Sequence, residues 1–421
     1  MTVSDSEFTT APVPEERTVV WWRVGVISAM VAFSLPTFIT GLEVSRVVPG
    51  RQAFLALLGG SMLLAIIASI SGSIGSRTRL SSYMLVRIAF GDKGAALVNL
   101  AFAISLLGWF GVNIDLFSGA VERLLVDGTG ESPPTWMVEL GAGMVMTITT
   151  IYGFRAINTL SLILVPVLMV VTVALISKSL DVRGIEDILA DEVTATYTLG
   201  KAMSAVVGGV IVGAVIMPDV TRFIRHWQGA IYTAVLAYLF VGVTVMSAGG
   251  LAASALGSED LLEIMLIIGL GWGAFAIVIA GSWVLNSLNL YSTMLSVEAT
   301  WPALNNRVLV LVLGSFGTGA AFLNILDVFL TFLFYLAIVF VPVAGVIMVD
   351  YLVSRRSAYH DDRELLQEDL RPIAIGAWAV GAALALAGEE GYVTLSGVAA
   401  LDAMLVSALA YGILTRVVAR V

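Results

Sequence analysis

The chain has 421 residues, a formal net charge of -9 and no cysteine, which excludes disulfides and thiolate metal sites. Hydrophobic residues make up 58% of it and charged residues only 13%, whereas a soluble domain carries about 25% charged residues. The mean hydropathy of +0.96 excludes an ordinary soluble protein. The chain has no stripe of basic residues that would predict binding to nucleic acid.

The first eighteen residues are polar and acidic, without the basic start and apolar core of a secretory signal. We therefore predict a cytoplasmic tail over 1–18. Apolar runs of about 20 residues, long enough to cross a lipid bilayer as a helix, follow it and predict about twelve spans. They cover approximately 19–42, 52–75, 94–121, 134–153, 157–177, 198–217, 229–255, 262–296, 306–324, 326–351, 372–388 and 394–415. The predicted fold class is an all-α integral membrane protein.

The basic residues predict the orientation of these spans. If the N-terminus lies inside, sixteen of the 22 lysines and arginines fall on the cytoplasmic side and six on the outer side. This bias follows the positive-inside rule. We expect a multi-pass protein of the plasma (inner) membrane with both termini in the cytoplasm.

Two segments of the chain repeat one pattern inside apolar stretches. Trp109–Ser118 (WFGVNIDLFS) and Trp283–Ser292 (WVLNSLNLYS) each contain Trp, five residues, Asp or Asn, then Leu, an aromatic residue and Ser, at an offset of 174. VPV at 165–167 recurs at 341–343, 176 residues later. A membrane chain that repeats itself is typical of a secondary transporter.

If each repeat holds five spans, an odd number, the second copy enters the membrane in the opposite direction. The sequence thus predicts a 5+5 inverted repeat, with residues 19–178 as the first copy and 197–352 as the second. A cytoplasmic loop over 353–371 and the region 372–421, with two extra C-terminal helices, lie outside the repeat.

Spans 1 and 6 carry helix-breaking residues at the same place in each copy. Ser34-Leu35-Pro36 is matched, 174 residues later, by Gly208-Gly209-Val210. Proline removes a backbone donor, and glycine permits unwinding at little steric cost. Unwound backbone within a membrane is tolerated where it lines a cavity, so we expect both triplets to contribute to a substrate site. The alternative is that the glycines allow close helix packing.

Polar and aromatic residues share a face on spans 3 and 8. Span 3 carries Trp109, Asn113 and Phe117 on one face, and span 8 carries Trp283, Asn286 or Ser287, and Tyr291. An amide flanked by rings suits a planar, hydrogen-bonding ligand. In the alternative interpretation, the amides hold helices together and Trp109 is a core residue.

Asp115 is an acid within a predicted span, which makes it a candidate for proton coupling. Asn289 occupies the matching position in the second copy and is a further candidate for the substrate site. The alternative is that Asp115 is wetted by an external vestibule.

Several segments resemble the nucleobase-cation-symport-1 family, with the bacterial cytosine permeases as the nearest branch. They are PVP at 12–14, GSIGSRTRLSSYMLVRIAFGDKG at 72–94, GWFGV at 108–112, DVTRF at 219–223, the Trp-Asn-Tyr pattern of span 8 and VPVAGVIMVDYL at 341–352. The resemblance implies the fold of amino-acid and hydantoin transporters, alternating access, and uptake of a heterocyclic base with a cation. It also implies that Trp109 stacks on the base, that Asn286 reads its edge, and that the carbonyls of Met30 and Phe33 face the cation.

The chain departs from that pattern on span 6, where Gly209 and Val210 replace the Ser and Phe of the cytosine permeases and Val212 replaces a serine. It also departs at the cation site. The span 8 positions that supply oxygens in sodium-coupled members are Gly281, Val284 and Leu285 here. Two backbone carbonyls without side-chain oxygens are a poor cage for Na+. Coupling therefore uses H+ or is absent, unless a one-residue shift of the match brings in Ser282 and Asn286.

These observations predict a permease, not an enzyme, that imports a small heterocycle such as cytosine. One rival is a related transporter of a hydantoin, allantoin or vitamin precursor. A rival of another class is a membrane enzyme or a ligand sensor, but clustered titratable groups and a signalling domain are both missing from the sequence.

Overall fold

The computed structural model describes residues 11–131, 133–151, 154–192, 195–271, 273, 281–301, 304–359 and 369–418. The regular secondary structure within these ranges is helical, apart from one isolated bridge between Val19 and Ile224. Eight helices in the described part are long and apolar enough to cross a membrane, and a ninth candidate is a pair of helices bent by 53°. Shorter apolar helices, Thr135–Ile151 and Asn306–Ala321, accompany them.

The helices that concern the first predicted repeat are α1 (Trp21–Ala32), α2 (Leu35–Val47), α3 (Gly50–Thr78), α4 (Ser82–Thr129), α5 (Thr135–Ile151) and α6 (Phe154–Val182), followed by the short α7 (Ile185–Leu189). Those of the second are α8 (Leu199–Val215), α9 (Pro218–Thr221), α10 (Trp227–Ala234), α11 (Gly242–Leu256), α12 (Leu261–Ile267), α13 (Ser282–Thr300), α14 (Asn306–Ala321) and α15 (Phe329–Val349). The C-terminal helices are α16 (Pro372–Glu389) and α17 (Ala399–Val418).

Short segments of tighter or wider helix complete the chain. The 3-10 helices are Glu15–Arg17, Ile325–Val328 and Arg356–Tyr359, and the π-helical segments are Val235–Val241, between α10 and α11, and Asp350–Ser354, after α15.

Polar residues determine where several helices begin. The side chains of Ser81, Thr198 and Asn305 each accept a backbone N–H from the first turn of the helix that follows, which satisfies donors without partners inside the helix. α4 begins well before the predicted third span and kinks at Gly91, whose φ of 74° favours glycine.

The prediction of one continuous eighth span over 262–296 is wrong, because α12 ends at Ile267 and the chain turns at Gly269, whose φ is 77°. Residues 272 and 274–280 of that prediction lie outside the described residues, as do residues 360–368 of the predicted loop over 353–371.

Span 1 (α1 and α2) and span 6 (α8 and α9) run in opposite directions. Next to the start of span 1, the Val19 N–H donates to the Phe223 carbonyl, just beyond the end of span 6 (2.7 Å). At the opposite ends, the Tyr197 N–H, just before span 6, donates to Val47 at the end of span 1 (3.1 Å). The first helices of the two predicted copies are therefore antiparallel.

Packing between the predicted copies occurs in mirrored pairs. α2 packs against α11 as α8 packs against α3, and α1 packs against α6 as α8 packs against α15. α4 contacts α14 as α13 contacts α5. α17 packs on α15 and α8, so the C-terminal pair covers one side of this core.

We expect Gly208→Ala to lower the thermal stability of the protein in detergent. A Cβ at this position would overlap the Leu333 carbonyl of α15, which is backbone and cannot rotate away. Overpacking of this kind costs about 1 to 3 kcal/mol. The matched control is Gly209→Ala on the same helix, whose Cβ would make ordinary contacts of 3.4 to 3.7 Å with the side chains of Thr40 and Leu333. Equal melting temperatures of the two variants would contradict the close approach of α8 and α15.

Candidate functional site

A cavity of about 140 Å³ lies between spans 1, 3, 6, 7 and 8. Most of its wall is apolar, with a few polar groups, which is the usual composition of a small-molecule site. The predicted site residues that line it are Ser34, Trp109, Gly209, Val210, Val212 and Asn289. Met30, Phe33, Gly208, Asn113, Asp115 and Asn286 do not line it.

The break in span 1 forms part of the cavity wall, as predicted. Ser34 is extended (φ -88°, ψ 151°) and separates α1 from α2, while Pro36 lies in the first turn of α2, where its missing N–H is not needed. The Ser34 hydroxyl pairs with the Thr37 hydroxyl at 3.0 Å. Ser34, Pro36 and Thr37 all line the cavity.

Trp109 of α4 provides an aromatic wall. Its ring is only 7% exposed and packs edge-on against Phe332 (centroids 5.3 Å apart) and Phe329 (6.1 Å). These contacts from the α15 region restrict the orientation of the indole, so it presents a fixed aromatic surface to the cavity.

The structure separates the three candidate asparagines. Asn289 lines the cavity, and its Nδ2 is buried without a hydrogen-bond partner among the described residues. Asn286 is fully buried elsewhere, where its Nδ2 donates to the Phe110 carbonyl (3.0 Å) and contacts Met146 Sδ (3.2 Å). Asn113 is also fully buried and donates to the Trp109 carbonyl at 2.7 Å.

Asn286 and Asn113 thus lie away from the cavity, and Asn289 lies at it. The Asn286 Nδ2 joins α13 to α4, and the Asn113 Nδ2 is used within α4. The Oδ1 atoms of Asn286 and Asn113 have no partner among the described residues, so the roles predicted for these two residues in the substrate site stay predictions. The contacts of their Nδ2 atoms agree with the alternative that buried amides hold membrane helices together.

The expected unwinding at Gly208-Gly209-Val210 is wrong. α8 continues through all three residues to Val215, and the break follows at Ile216 and Met217. Gly208 allows α15 to approach, while Gly209 and Val210 line the cavity from a regular helix. The two glycines thus allow close helix packing and leave space in the cavity. Both effects need only the absence of a side chain and no unwinding of the helix.

Sequence reasoning missed Asp219 at the cavity wall, although the DVTRF segment contains it. Its Oδ1 accepts hydrogen bonds from the N–H and the hydroxyl of Ser82, both at 2.8 Å. Arg222, only 1% exposed, donates from Nε to the Asp219 carbonyl (3.2 Å). The sequence feature that could have predicted this contact is an acidic and a basic residue, Asp219 and Arg222, spaced three apart directly after Pro218. The arrangement joins the end of span 6 to the start of α4.

Tyr238 and Ser292 were also missed and line the cavity. Tyr238 belongs to the π-helical segment of span 7, and the Ser292 carbonyl accepts the Tyr83 hydroxyl at 2.9 Å. A π-helical segment inserts one residue into a helical turn, so a regular helical periodicity misplaces the side chains beyond it.

The residues proposed for ions lie outside the cavity. The Met30 carbonyl accepts the Phe33 N–H (3.1 Å), and the Phe33 carbonyl would lie 3.0 Å from a Cβ at Gly281. Ser282 is fully buried, and its hydroxyl has no partner among the described residues. Asp115 is half-buried near Asp327 and Glu122, away from the cavity wall.

Comparison with known proteins gives consistent matches. Residues 12–414 match the sequence model of a family described as permeases for cytosine/purines, uracil, thiamine and allantoin. The cytosine permease of Escherichia coli (strain K12) is 30% identical over 423 residues, covering 99% of this chain and 96% of that protein. The hydantoin permease of Microbacterium maritypicum is 22% identical over 374 residues, covering 81% and 74% respectively.

Solved structures share the fold. Mhp1, a nucleobase-cation-symport-1 family transporter with bromovinylhydantoin bound in a closed conformation, superposes with a TM-score of 0.84 at 18% identity, covering 98% of this chain and 95% of that one. A Na+-coupled sialic acid symporter superposes with a TM-score of 0.69 at 14% identity, covering 95% and 90%. At these identities the likeness concerns the fold alone.

Proposed function

Because the chain belongs to the family of permeases for cytosine/purines, uracil, thiamine and allantoin, whose members are transporters and not enzymes, we propose that it imports a nucleobase, with cytosine as the first candidate. The observation that carries this proposal is that the Trp109 ring and Asn289, whose Nδ2 has no partner among the described residues, line one cavity. The ring offers a surface for a planar heterocycle, and the amide offers a donor to its edge.

We propose twelve spans, of which ten form two inverted copies over 19–178 and 197–352 and two follow in 372–421. Support comes from the antiparallel course of spans 1 and 6 and from the mirrored packing of helices. The eight long apolar helices, the bent pair, the two shorter helices α5 and α14, and α13 together give twelve spans. α13 is included although it does not pass the length and hydropathy criteria for a span. The region 1–18 is then a tail, and 353–371 is a loop.

Transport by alternating access agrees with the composition of the cavity wall. Spans 1, 6 and 7 contribute one side, and spans 3 and 8 contribute the other. A movement of the group of spans 1, 2, 6 and 7 against the group of spans 3, 4, 8 and 9 would open the cavity to one side of the membrane at a time.

Both termini are proposed to be cytoplasmic in a plasma (inner) membrane. The distribution of basic residues supports this orientation. The natural absence of cysteine permits a direct test: a thiol reagent that cannot cross membranes should label Ser396→Cys in intact cells but not Ser357→Cys, both of which are exposed positions. The reverse labelling pattern would overturn the orientation.

We propose coupling to a cation, with Na+ and H+ as the candidate ions. For Na+, the backbone at the span 1 break lies against Gly281, and the neighbouring Ser282 hydroxyl has no partner in the described part of the chain. Val284 and Leu285 add no side-chain oxygen. For H+, Asp115 lies among other acids but outside the cavity.

A second candidate substrate is a hydantoin, allantoin or vitamin precursor. The hydantoin permease among the relatives and the absence of a large side chain at Gly209 favour a pocket able to accept such a molecule.

The test of the proposed function is uptake of radiolabelled cytosine in cells that lack their own base permeases. Uptake is measured with and without Na+ and across a pH gradient, and unlabelled uracil, purines, hydantoins, allantoin and thiamine compete. Saturable uptake inhibited by nucleobases is expected. Absence of cytosine uptake together with saturable uptake of a radiolabelled hydantoin or allantoin would favour the second candidate. Uptake that depends on neither ion would overturn cation coupling.

We expect Asn289→Ala to raise the KM for the transported base by about tenfold, because the variant loses a hydrogen bond to the ligand within a buried site. Asn286→Ala should leave KM within about twofold and instead lower stability, since Asn286 does not line the cavity and its Nδ2 donates to the Phe110 carbonyl. KM and melting temperature are measured for both variants. A KM effect confined to Asn286→Ala would reverse the assignment of the two residues.

A further inference from the structure

A second, smaller cavity of about 20 Å³ lies beside the main one, between spans 1, 2, 6 and 7. Five residues line both cavities and so form the wall between them: Ser28, Val31, Thr37, Val210 and Tyr238. This volume is sufficient for a single water molecule or one small substituent of a ligand.

Hydroxyl groups with no partner face this small cavity. Ser61 is fully buried in α3, and its Oγ has no hydrogen-bond partner among the described residues. The buried Oγ of Ser28, on α1, has none either. Buried hydroxyls in folded proteins are nearly always paired, so two such groups around one small space indicate an atom that binds between them.

Tyr238 connects the small cavity to the substrate cavity. Among the described residues, Tyr238 and Trp109 are the aromatic residues of the main cavity wall. Tyr238 stands in the π-helical segment of span 7, a type of segment frequent at functional sites. A Cβ at Gly213 of α8 would lie 3.1 Å from the Tyr238 hydroxyl, so the glycine leaves room for this group.

We infer that Ser28, Ser61 and Tyr238 form a polar subsite for one hydrogen-bonding substituent of the transported ring, an exocyclic amino or oxo group. The inference rests on the proposed function and adds to it the determinant of substrate choice. Hydroxyls both donate and accept, so the subsite takes either group. It disfavours a methyl group of the same size, because the hydroxyls would then stay unpaired.

The test compares cytosine with 4-methylpyrimidin-2-one, in which a methyl group replaces the amino group. Both compete for uptake of radiolabelled cytosine, and the ratio of their inhibition constants is the readout. In the wild type we expect cytosine to be favoured at least tenfold. Ser61→Ala and Tyr238→Phe should each reduce this ratio severalfold, largely by weakening cytosine binding.

Ser247→Ala is the matched control. Ser247 also has a buried, unpaired hydroxyl on span 7 but lines neither cavity, so the ratio should not change. If Ser61→Ala does not reach the membrane, the ratio of inhibition constants for Tyr238→Phe decides whether the subsite exists. This variant keeps the aromatic ring.

The outcomes separate the two proposals. Wild-type protein that neither binds nor transports a nucleobase overturns the proposed function and this inference with it. Wild-type uptake with a ratio unchanged in both variants overturns the subsite alone and means that the small cavity holds only water.

Discussion

Replacing Trp109 by alanine is expected to abolish measurable uptake of the base while the protein still reaches the membrane. Stacking of a base on an aromatic side chain contributes about 1 to 3 kcal/mol, so its loss lowers affinity by up to about a hundredfold. The remaining aliphatic wall no longer restricts the plane of the ligand. Initial rates of uptake and equilibrium binding of cytosine to purified protein measure the effect.

The second copy of the repeated pattern supplies the control for this experiment. Trp283 occupies the position of Trp109 in that copy but does not line the cavity, so Trp283→Ala should retain base binding. Trp109→Phe keeps a ring against Phe332 and should retain part of the affinity. Unchanged uptake by a folded Trp109→Ala protein would refute the stacking role.

Replacing Asp350 by alanine should prevent the accumulation of folded protein. Asp350 is fully buried and accepts hydrogen bonds from Arg355 Nε (2.9 Å), Arg355 Nη2 (2.8 Å), the Tyr359 hydroxyl (2.6 Å) and the Tyr411 hydroxyl (2.7 Å). Arg355 also donates to the Ile88 carbonyl (2.7 Å), so this cluster joins the end of span 10 to α17 and to the start of α4. Removal of one partner of a buried ion pair costs about 3 to 5 kcal/mol.

Asp369→Ala is the control for Asp350→Ala, because Asp369 pairs with Lys93 at the surface (3.0 Å, with 81% of the Asp369 side chain exposed). Its loss should change stability by less than about 1 kcal/mol. Melting temperature in detergent and yield from membranes are measured for both. The melting temperatures of Tyr359→Phe and Tyr411→Phe should lie between those of Asp350→Ala and Asp369→Ala. A melting temperature for Asp350→Ala equal to that of the wild type would contradict the anchoring role of this cluster.

Much of the architecture was predictable from local signals. Pro36 and the extended Ser34 separate α1 from α2 through their effect on the local backbone, which the sequence alone predicts. Apolar length predicts membrane crossing in the same way. The confirmed assignment to the family followed from segments such as VPVAGVIMVDYL. This segment contains Asp350, a buried acid that accepts hydrogen bonds from the side chains of Arg355, Tyr359 and Tyr411.

The course of span 6 was not predictable, since glycine permits both unwinding and close packing. The approach of α15 to Gly208 decides between these roles, and it depends on residues more than a hundred positions away. Tyr238 was missed for a related reason: it stands in a π-helical segment, and sequence periodicity assumes a regular helix.

The sequence by itself determined the membrane class, the break in span 1, the duplicated pattern and the family. Only the tertiary structure decided which members of the pattern meet at the cavity: Trp109 from the first copy and Asn289, rather than Asn286, from the second. Those asparagines are three residues apart and differ by about 60° around the helix axis. Which of them faces the cavity depends on the rotation of α13 against α4 and α5, and packing between helices sets that rotation.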